Sequence, residues 1–239
     1  MGKEALFYDV DRKGQINCRL CPHNCLIPEG QTGRCRVRRH LGKQLISLNY
    51  GLVAALAIDP VEKKPLYHFL PGSQTLSFAG AGCNLSCRNC QNHNLSQISA
   101  SETCFGSPMS PQNIVDMALE QGLSSISFTY SEPTVFYEMM LECAQLAREV
   151  GLKTILVSNG FINPEPLNAL IPFLDAANID LKAYSDHFYQ SVCGGHLQPV
   201  LNTLHRLHAE GVWLEITTLL IPGHNDNPVE LDLLISFIA

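Results

Sequence analysis

The sequence predicts an α/β fold, a partial parallel (β/α) barrel that carries a small Cys-rich module at its N-terminus. Three observations predict it. From about residue 75, short apolar runs alternate with amphipathic segments. Those amphipathic segments carry explicit helix start and stop signals. Seven of the ten cysteines fall into two tight groups, Cys18/21/25/35 and Cys83/87/90, the first of them ahead of the alternating region.

Strands are expected at 75–80, 124–130, 153–158, 176–181 and 212–220. Each is a short, mostly apolar run, the pattern of a parallel strand buried on both faces. Ser110 and Pro111 supply the N-cap and first residue of a helix whose Ile114, Val115, Ala118 and Leu119 share a face, and Gly122 ends it. Residues 134–150 form a second helix with one broad apolar face, closed by Gly151. Asn163-Pro164 opens a third. Residues 197–210 form a fourth, closed by Gly211, and Asn227-Pro228 opens a fifth with Glu230 in capping-box position. Alternation at this spacing implies right-handed crossovers and a parallel sheet or barrel. The chain stops inside the fifth helix, where such a barrel still needs a strand, so the sequence reads as a fragment of a longer protein.

Two units are expected, 1–74 and 75–239. The first holds Cys18, Cys21, Cys25 and Cys35, a basic stretch (Arg34, Arg36, Arg38, Arg39), strand-like runs at 45–49 and 53–58, and a connector over 59–73.

With 239 residues, 46% of them apolar, the chain can bury a sizeable core. Its net charge of −6 gives no basic field for nucleic acid. No run reaches the length of a membrane span, and the start has no apolar signal region. The expected location is the cytoplasm. Ten cysteines without an export signal point to metal or redox chemistry rather than disulfides. The scattered Cys104, Cys143 and Cys193 read as ordinary packed thiols.

Cys83, Cys87 and Cys90 are spaced by three residues and then two, directly after the first predicted strand. Iron–sulfur clusters are normally held by four thiolates. Three ligands leave one iron open to a small molecule, which points to an enzyme rather than an electron carrier. Zinc completed by His93 is the alternative, but structural zinc prefers Cys pairs far apart in sequence.

This Cys-x3-Cys-x2-Cys pattern after a first barrel strand resembles the radical S-adenosylmethionine (SAM) superfamily, although Asn89 stands where many members have an aromatic. The resemblance implies a [4Fe-4S] cluster on Cys83, Cys87 and Cys90 whose open iron binds SAM. It also implies reductive cleavage to a 5′-deoxyadenosyl radical that abstracts a substrate hydrogen. Tyr130-Ser131-Glu132-Pro133 resembles the superfamily's Gly-Gly-Glu-Pro motif with both glycines replaced, and implies that Glu132 contacts the amino group of SAM. Ser158-Asn159-Gly160 resembles the Thr-Asn-Gly segment of pyruvate formate-lyase activating enzyme, with Val157 in place of its Asp. Asp180-Leu181-Lys182 matches that enzyme's Asp-Leu-Lys, and strand alternation puts Asp180 and Lys182 on one side. Ser158, Asp180 and Lys182 are therefore expected around SAM. The loop 221–226 resembles the Ile-Pro-Gly-x-Asn-Asp loop of the same enzymes, and its His224 reads as solvated.

Closer resemblance comes from Cys18-Arg-Leu-Cys21-Pro-His-Asn-Cys25 with Gly30, Gly33 and Cys35. The segments 59–72, Gln91-Asn92, Cys193-Gly194-Gly195 and 215–223 add to it. Together they are similar to the radical SAM member of the AmmeMemoRadiSam system. That resemblance implies Memo-like and AMMECR-domain companions and a reductant such as flavodoxin or ferredoxin, and leaves the substrate unknown. The first Cys group is expected to bind a second metal, zinc or iron–sulfur with even weight, which would supply folding energy to a small core. Lys63 and Lys64 read as a solvated charge pair, with an anionic substrate or partner as the minority reading. His205 and His208 read as surface or packed residues. Two further functions stay open: a glycyl-radical-enzyme activase, and a non-catalytic zinc-binding module that docks partners.

Overall fold

The computed structural model describes residues 2–98 and 104–239. The predicted apolar runs assemble into one six-stranded sheet. Its strands are β1 (Ala55–Pro60), β2 (Gln74–Ala79), β3 (Ser125–Phe128), β4 (Lys153–Ser158), β5 (Ala176–Asp180) and β6 (Trp213–Thr217). They lie side by side in chain order. β2 to β6 are all parallel, as expected of strands joined by helical crossovers. β1 runs antiparallel to β2, with Asp59 opposite Thr75. The segment assigned by sequence to the N-terminal unit thus supplies an edge strand, and the sheet crosses the boundary drawn at residue 74. β3 and β6 are shorter than expected, because residues 129–130 and 218–220 leave the ladder as loops.

The longer helices are α1 (Pro111–Glu120), α2 (Tyr137–Glu149), α3 (Pro164–Leu170), α4 (Leu197–Ala209) and α5 (Pro228–Ile238). At α1 a reciprocal cap forms: the Asn113 amide donates to Ser110 Oγ and the Ser110 amide donates to Asn113 Oδ1, both at 3.1 Å. α2 begins later than its apolar pattern suggests, since Pro133–Phe136 first form a 3-10 turn capped by Glu132. At α5 the expected capping box does not form. Asn227 accepts from the Val229 amide at 2.9 Å, while Glu230 reaches away to accept from the Tyr184 amide at 3.0 Å. Among the described residues, no helix is long and apolar enough to cross a membrane.

Two small antiparallel sheets of three strands make up most of the N-terminal module. Their strands are two to four residues long, so they bury little on their own. What fastens them to α2 is an ion pair between Arg38 and Glu138, each 1% exposed. Arg38 Nη1 also donates to the Leu6 carbonyl at 2.8 Å, and the Leu6 amide donates to Glu138 at 2.8 Å. Arg38 stands in the basic stretch of the sequence yet lies entirely inside. Removing one partner of a buried pair leaves an uncompensated charge, which costs more than the pair is worth. Glu138→Ala should therefore lower the unfolding free energy by about 3–5 kcal/mol in urea titrations. The double variant Arg38→Met/Glu138→Leu should recover most of that loss.

Candidate functional site

In a parallel sheet all strands deliver their C-terminal ends to the same edge. Here those ends surround a cavity of about 520 Å³. Cys83, Cys87 and Cys90 line it from the loop after β2, Glu132 from beyond β3, Ser158 from β4, and Asp180 and Lys182 from the end of β5. The predicted cluster and cofactor residues are thus brought to one place. Gly80 lets the chain enter the cysteine loop, because a Cβ there would come within 2.9 Å of Phe136.

The loop is held from behind by residues 192–195, the segment just before α4. The Ser86 amide donates to the Cys193 carbonyl at 2.8 Å and the Arg88 amide to the Val192 carbonyl at 3.0 Å. Side chains at Gly194 and Gly195 would stand 2.5 Å from Ser86 Oγ and 2.6 Å from Leu85, which is why Cys193 is followed by two glycines. Cys193 is more than a packed thiol. The neighbouring Cys193 thiol, aided by the Lys182 charge, outweighs burial and lowers the pKa of Cys87. Burial and the Glu132 charge instead push Cys83 up. Cys83 Sγ accepts from the Leu85 amide at 3.4 Å and from Asn159 Nδ2 at 3.7 Å.

Glu132 is 1% exposed. Its Oε1 accepts from the Thr134 amide at 2.9 Å, Thr134 Oγ1 at 2.7 Å and Ser158 Oγ at 2.7 Å. Its Oε2 accepts from the Asn159 amide at 2.9 Å. Burial raises its pKa and these donors oppose the rise. Ser158 spends its proton on Glu132 while its oxygen accepts from the Gly160 amide at 3.0 Å, so it positions the carboxylate. Lys182 Nζ stands 2.9 Å from Asp180 Oδ2. Burial opposes the Lys182 charge, but Asp180 and the Cys87 sulfur outweigh it and raise its pKa.

Tyr130 has a φ of 64°, the left-handed backbone that glycine would take in the resembled motif. An L-residue pays about 1–2 kcal/mol for it. The side chain compensates: its hydroxyl donates to Asp59, and Lys64 Nζ sits 4.3 Å over its ring. Lys64 is 1% exposed and 2.8 Å from Asp59 Oδ2, which corrects its reading as a solvated charge, whereas Lys63 is exposed. Both lysines line the cavity.

Among the described residues, no three His, Cys, Asp or Glu side chains converge tightly enough to grip a single metal ion. The three thiols instead border a wide chamber, which suits a cluster and not a lone zinc ion. His93 is not among the lining residues. Cys18, Cys21, Cys25 and Cys35 meet at a separate, smaller cavity. His205 packs edge-on against Phe237, with ring centres 5.0 Å apart. Sequence reasoning missed Asp59, Asn159 and Cys193 as parts of the site. All three lie in segments that stood out as motifs, but their partners are remote in the chain.

Residues 78–234 match the model of the radical SAM superfamily, and the chain belongs to it. It is 42% identical over 236 residues to the uncharacterized protein MJ0808 of Methanocaldococcus jannaschii, covering 99% of this chain and 70% of that one. It is 30% identical over 118 residues to 7-carboxy-7-deazaguanine synthase of the same organism, covering 45% of this chain and 46% of the synthase. In fold it is similar to Streptococcus suis SuiB bound to S-adenosylmethionine, with a TM-score of 0.51 at 15% identity. That match covers 65% of this chain and 35% of SuiB, so the chain spans about a third of that structure.

Burial raises the Asp59 pKa, but hydrogen bonds from Lys64, Tyr130 and Lys63 outweigh it and bring the carboxyl down to about 2. An unfolded Asp titrates near 3.9. The stability that Asp59 contributes is thus fully present above the unfolded value and is lost as pH falls through about 2, by about 2.6 kcal/mol in all. Asp59→Asn should flatten that acid limb of the stability curve in urea titrations and lower stability at neutral pH.

Proposed function

We propose that this chain cleaves SAM reductively at a [4Fe-4S] cluster held by Cys83, Cys87 and Cys90. One observation carries the reading: the three thiols share a cavity of about 520 Å³ with Glu132, Ser158, Asp180 and Lys182. That volume falls within the usual range of ligand sites, about 300–1,000 Å³. When bound, the cluster and SAM together supply a 5′-deoxyadenosyl radical, formed by one-electron scission of the sulfonium bond, for hydrogen abstraction.

The chain's own residues bind and orient. Glu132 is locked by four donors, and its Oε2, which accepts only one of them, keeps acceptor capacity for an ammonium group at the cavity wall. Lys182 gives one of its three protons to Asp180 and keeps donors for anionic groups of the ligand. Val157, Phe188, Leu219 and Ile221 supply apolar wall that limits water around the reacting atoms. The Ser158-Asn159-Gly160 and Asp180-Leu181-Lys182 segments support a redox enzyme of the activating-enzyme type, with a glycyl radical protein as one candidate substrate. The N-terminal Cys group and the 59–72 segment support a place in the AmmeMemoRadiSam system beside Memo-like and AMMECR-domain proteins. A flavodoxin or ferredoxin would serve as electron donor.

Protein prepared without oxygen and reconstituted with iron, sulfide and reductant should form 5′-deoxyadenosine from SAM, measured by chromatography. Cys87→Ala should fall to background, and activity retained in that variant would refute the assignment. Glu132→Gln should keep the cluster's absorbance but raise the KM for SAM by roughly tenfold, the value of one charge-assisted hydrogen bond.

A further inference from the structure

We propose that Lys63 and Lys64 bind an anionic group, a carboxylate or a phosphate, so that the substrate placed in the cavity is a small anionic molecule. Calling that molecule the substrate rests on the function proposed above. The anion site itself rests on the segment between β1 and β2.

That segment is laid across the face of the sheet that lines the cavity. Parallel pairing aligns Ser77, Ser127, Ile155 and Ala176 in one row, and Val157 and Asp180, which line the cavity, stand further along the same face. Val61 and Leu66 pack on Ile155 and Ala176. Asn178 Nδ2 donates to the Pro65 carbonyl at 3.0 Å, and Glu215 accepts from the Tyr67 and His68 amides at 2.9 and 3.0 Å. The backbone of Lys63 and Lys64 is thus fixed at the cavity wall before anything binds.

The same face is polar where it approaches β1. On β2 and β3, Leu76, Phe78, Ile126 and Phe128 enter the main core, while the buried Thr75, Ser77, Ser125 and Ser127 alternate with them on the other side. Parallel strands are usually apolar on both faces. These hydroxyls give that side of the cavity a polar backing.

Charge sets the sign of the occupant. Asp59 Oδ2 lies 2.8 Å from Lys64 Nζ, its Oδ1 lies 3.3 Å from Lys63 Nζ, and it also accepts from the Tyr130 hydroxyl. Two ammonium groups on one carboxylate leave a positive charge uncompensated. The carboxylates that line the cavity do not balance it, because Asp180 is paired with Lys182 at 2.9 Å and Glu132 is taken by four donors. Lys64 is 1% exposed, and among the described residues its ammonium makes one hydrogen bond, to Asp59, beside its contact with the Tyr130 ring. It therefore keeps donor capacity. Burial lowers its pKa, and Asp59 does not fully offset the fall. An oxyanion would compensate such a cation through charge-assisted hydrogen bonds.

The simplest alternative is that Lys64 only props Tyr130. A prop needs one cation, and the chain sets a second beside it, on the same carboxylate and the same cavity. The placement also suits a substrate. β1 ends at Pro60, opposite Gln74 at the start of β2, whereas the cysteine loop follows Ala79 at its end. An anion at the lysines is thus anchored away from the three thiols, in the cavity they share.

Inorganic phosphate and acetate are the probes, titrated calorimetrically at low salt into the full chain reconstituted with iron and sulfide, with and without SAM. Wild type should bind one equivalent of at least one anion under both conditions, and the tighter anion names the group. Lys64→Met should weaken binding by about tenfold and Lys63→Gln by about threefold to fivefold, while Lys182→Gln leaves it unchanged. Lys63→Gln alters an exposed side chain, so it decides alone if Lys64→Met does not fold. Absence of binding, or affinity indifferent to both lysines, would overturn the proposal. So would binding that SAM or Lys182→Gln abolishes, which places the anion beside the cysteine loop. If SAM yields no 5′-deoxyadenosine while the lysine variants still weaken anion binding, the function proposed above fails and the anion site stands.

Discussion

The buried carboxylate of Glu132 is the constraint on which the rest of the site depends. Taking a carboxylate out of water is costly unless hydrogen bonds replace the lost solvent. The four donors come from the start of the 3-10 turn before α2 and from the end of β4. One group therefore ties the outlets of two neighbouring strands into fixed relation. Asn159, whose amide serves Glu132, uses its side chain to reach both Asn84 and Cys83. Through it the cysteine loop is registered against the sheet. Remove the carboxylate and four donors lose their acceptor at once, together with the reference point for the loop.

Much of this was legible in the sequence, and the reasons are local. Cysteine spacing, helix caps and apolar runs depend on residues a few positions apart, so they survive reading in one dimension. The cysteine triad, Glu132, Asp180 and Lys182 all sit beside strand ends that the apolar pattern marks. Asp59, Lys64 and Tyr130 were not readable as a unit. Tyr130 and Asp59 are 71 residues apart, and only pairing of β1 with β2 brings them to the same lip. Lys64 is indistinguishable in sequence from the exposed Lys63 beside it, because burial is set by which way the turn faces. Glu230 shows the converse. A locally sound capping box loses to a tertiary acceptor need at Tyr184.

The N-terminal module and the sheet are not independent bodies joined by a tether. β1 belongs to the sheet, Arg38 reaches Glu138 on α2, and Glu215 on β6 accepts from the amides of Tyr67 and His68 at 2.9 and 3.0 Å. The connector is thus clamped at its start and its middle, and the module ahead of it is held by Arg38. This explains how strands of two to four residues hold a constant position over the cysteine loop without a large core of their own.

Tyr130 has a consequence for what the cavity can admit. A glycine at this left-handed turn would give the rim a pliable corner. With the ring pinned by Asp59 and backed by Lys64, that corner becomes a rigid doorpost whose placement is dictated from the far edge of the sheet. The doorway is therefore narrowed by a feature outside the cysteine loop, and its width answers to β1 rather than to that loop.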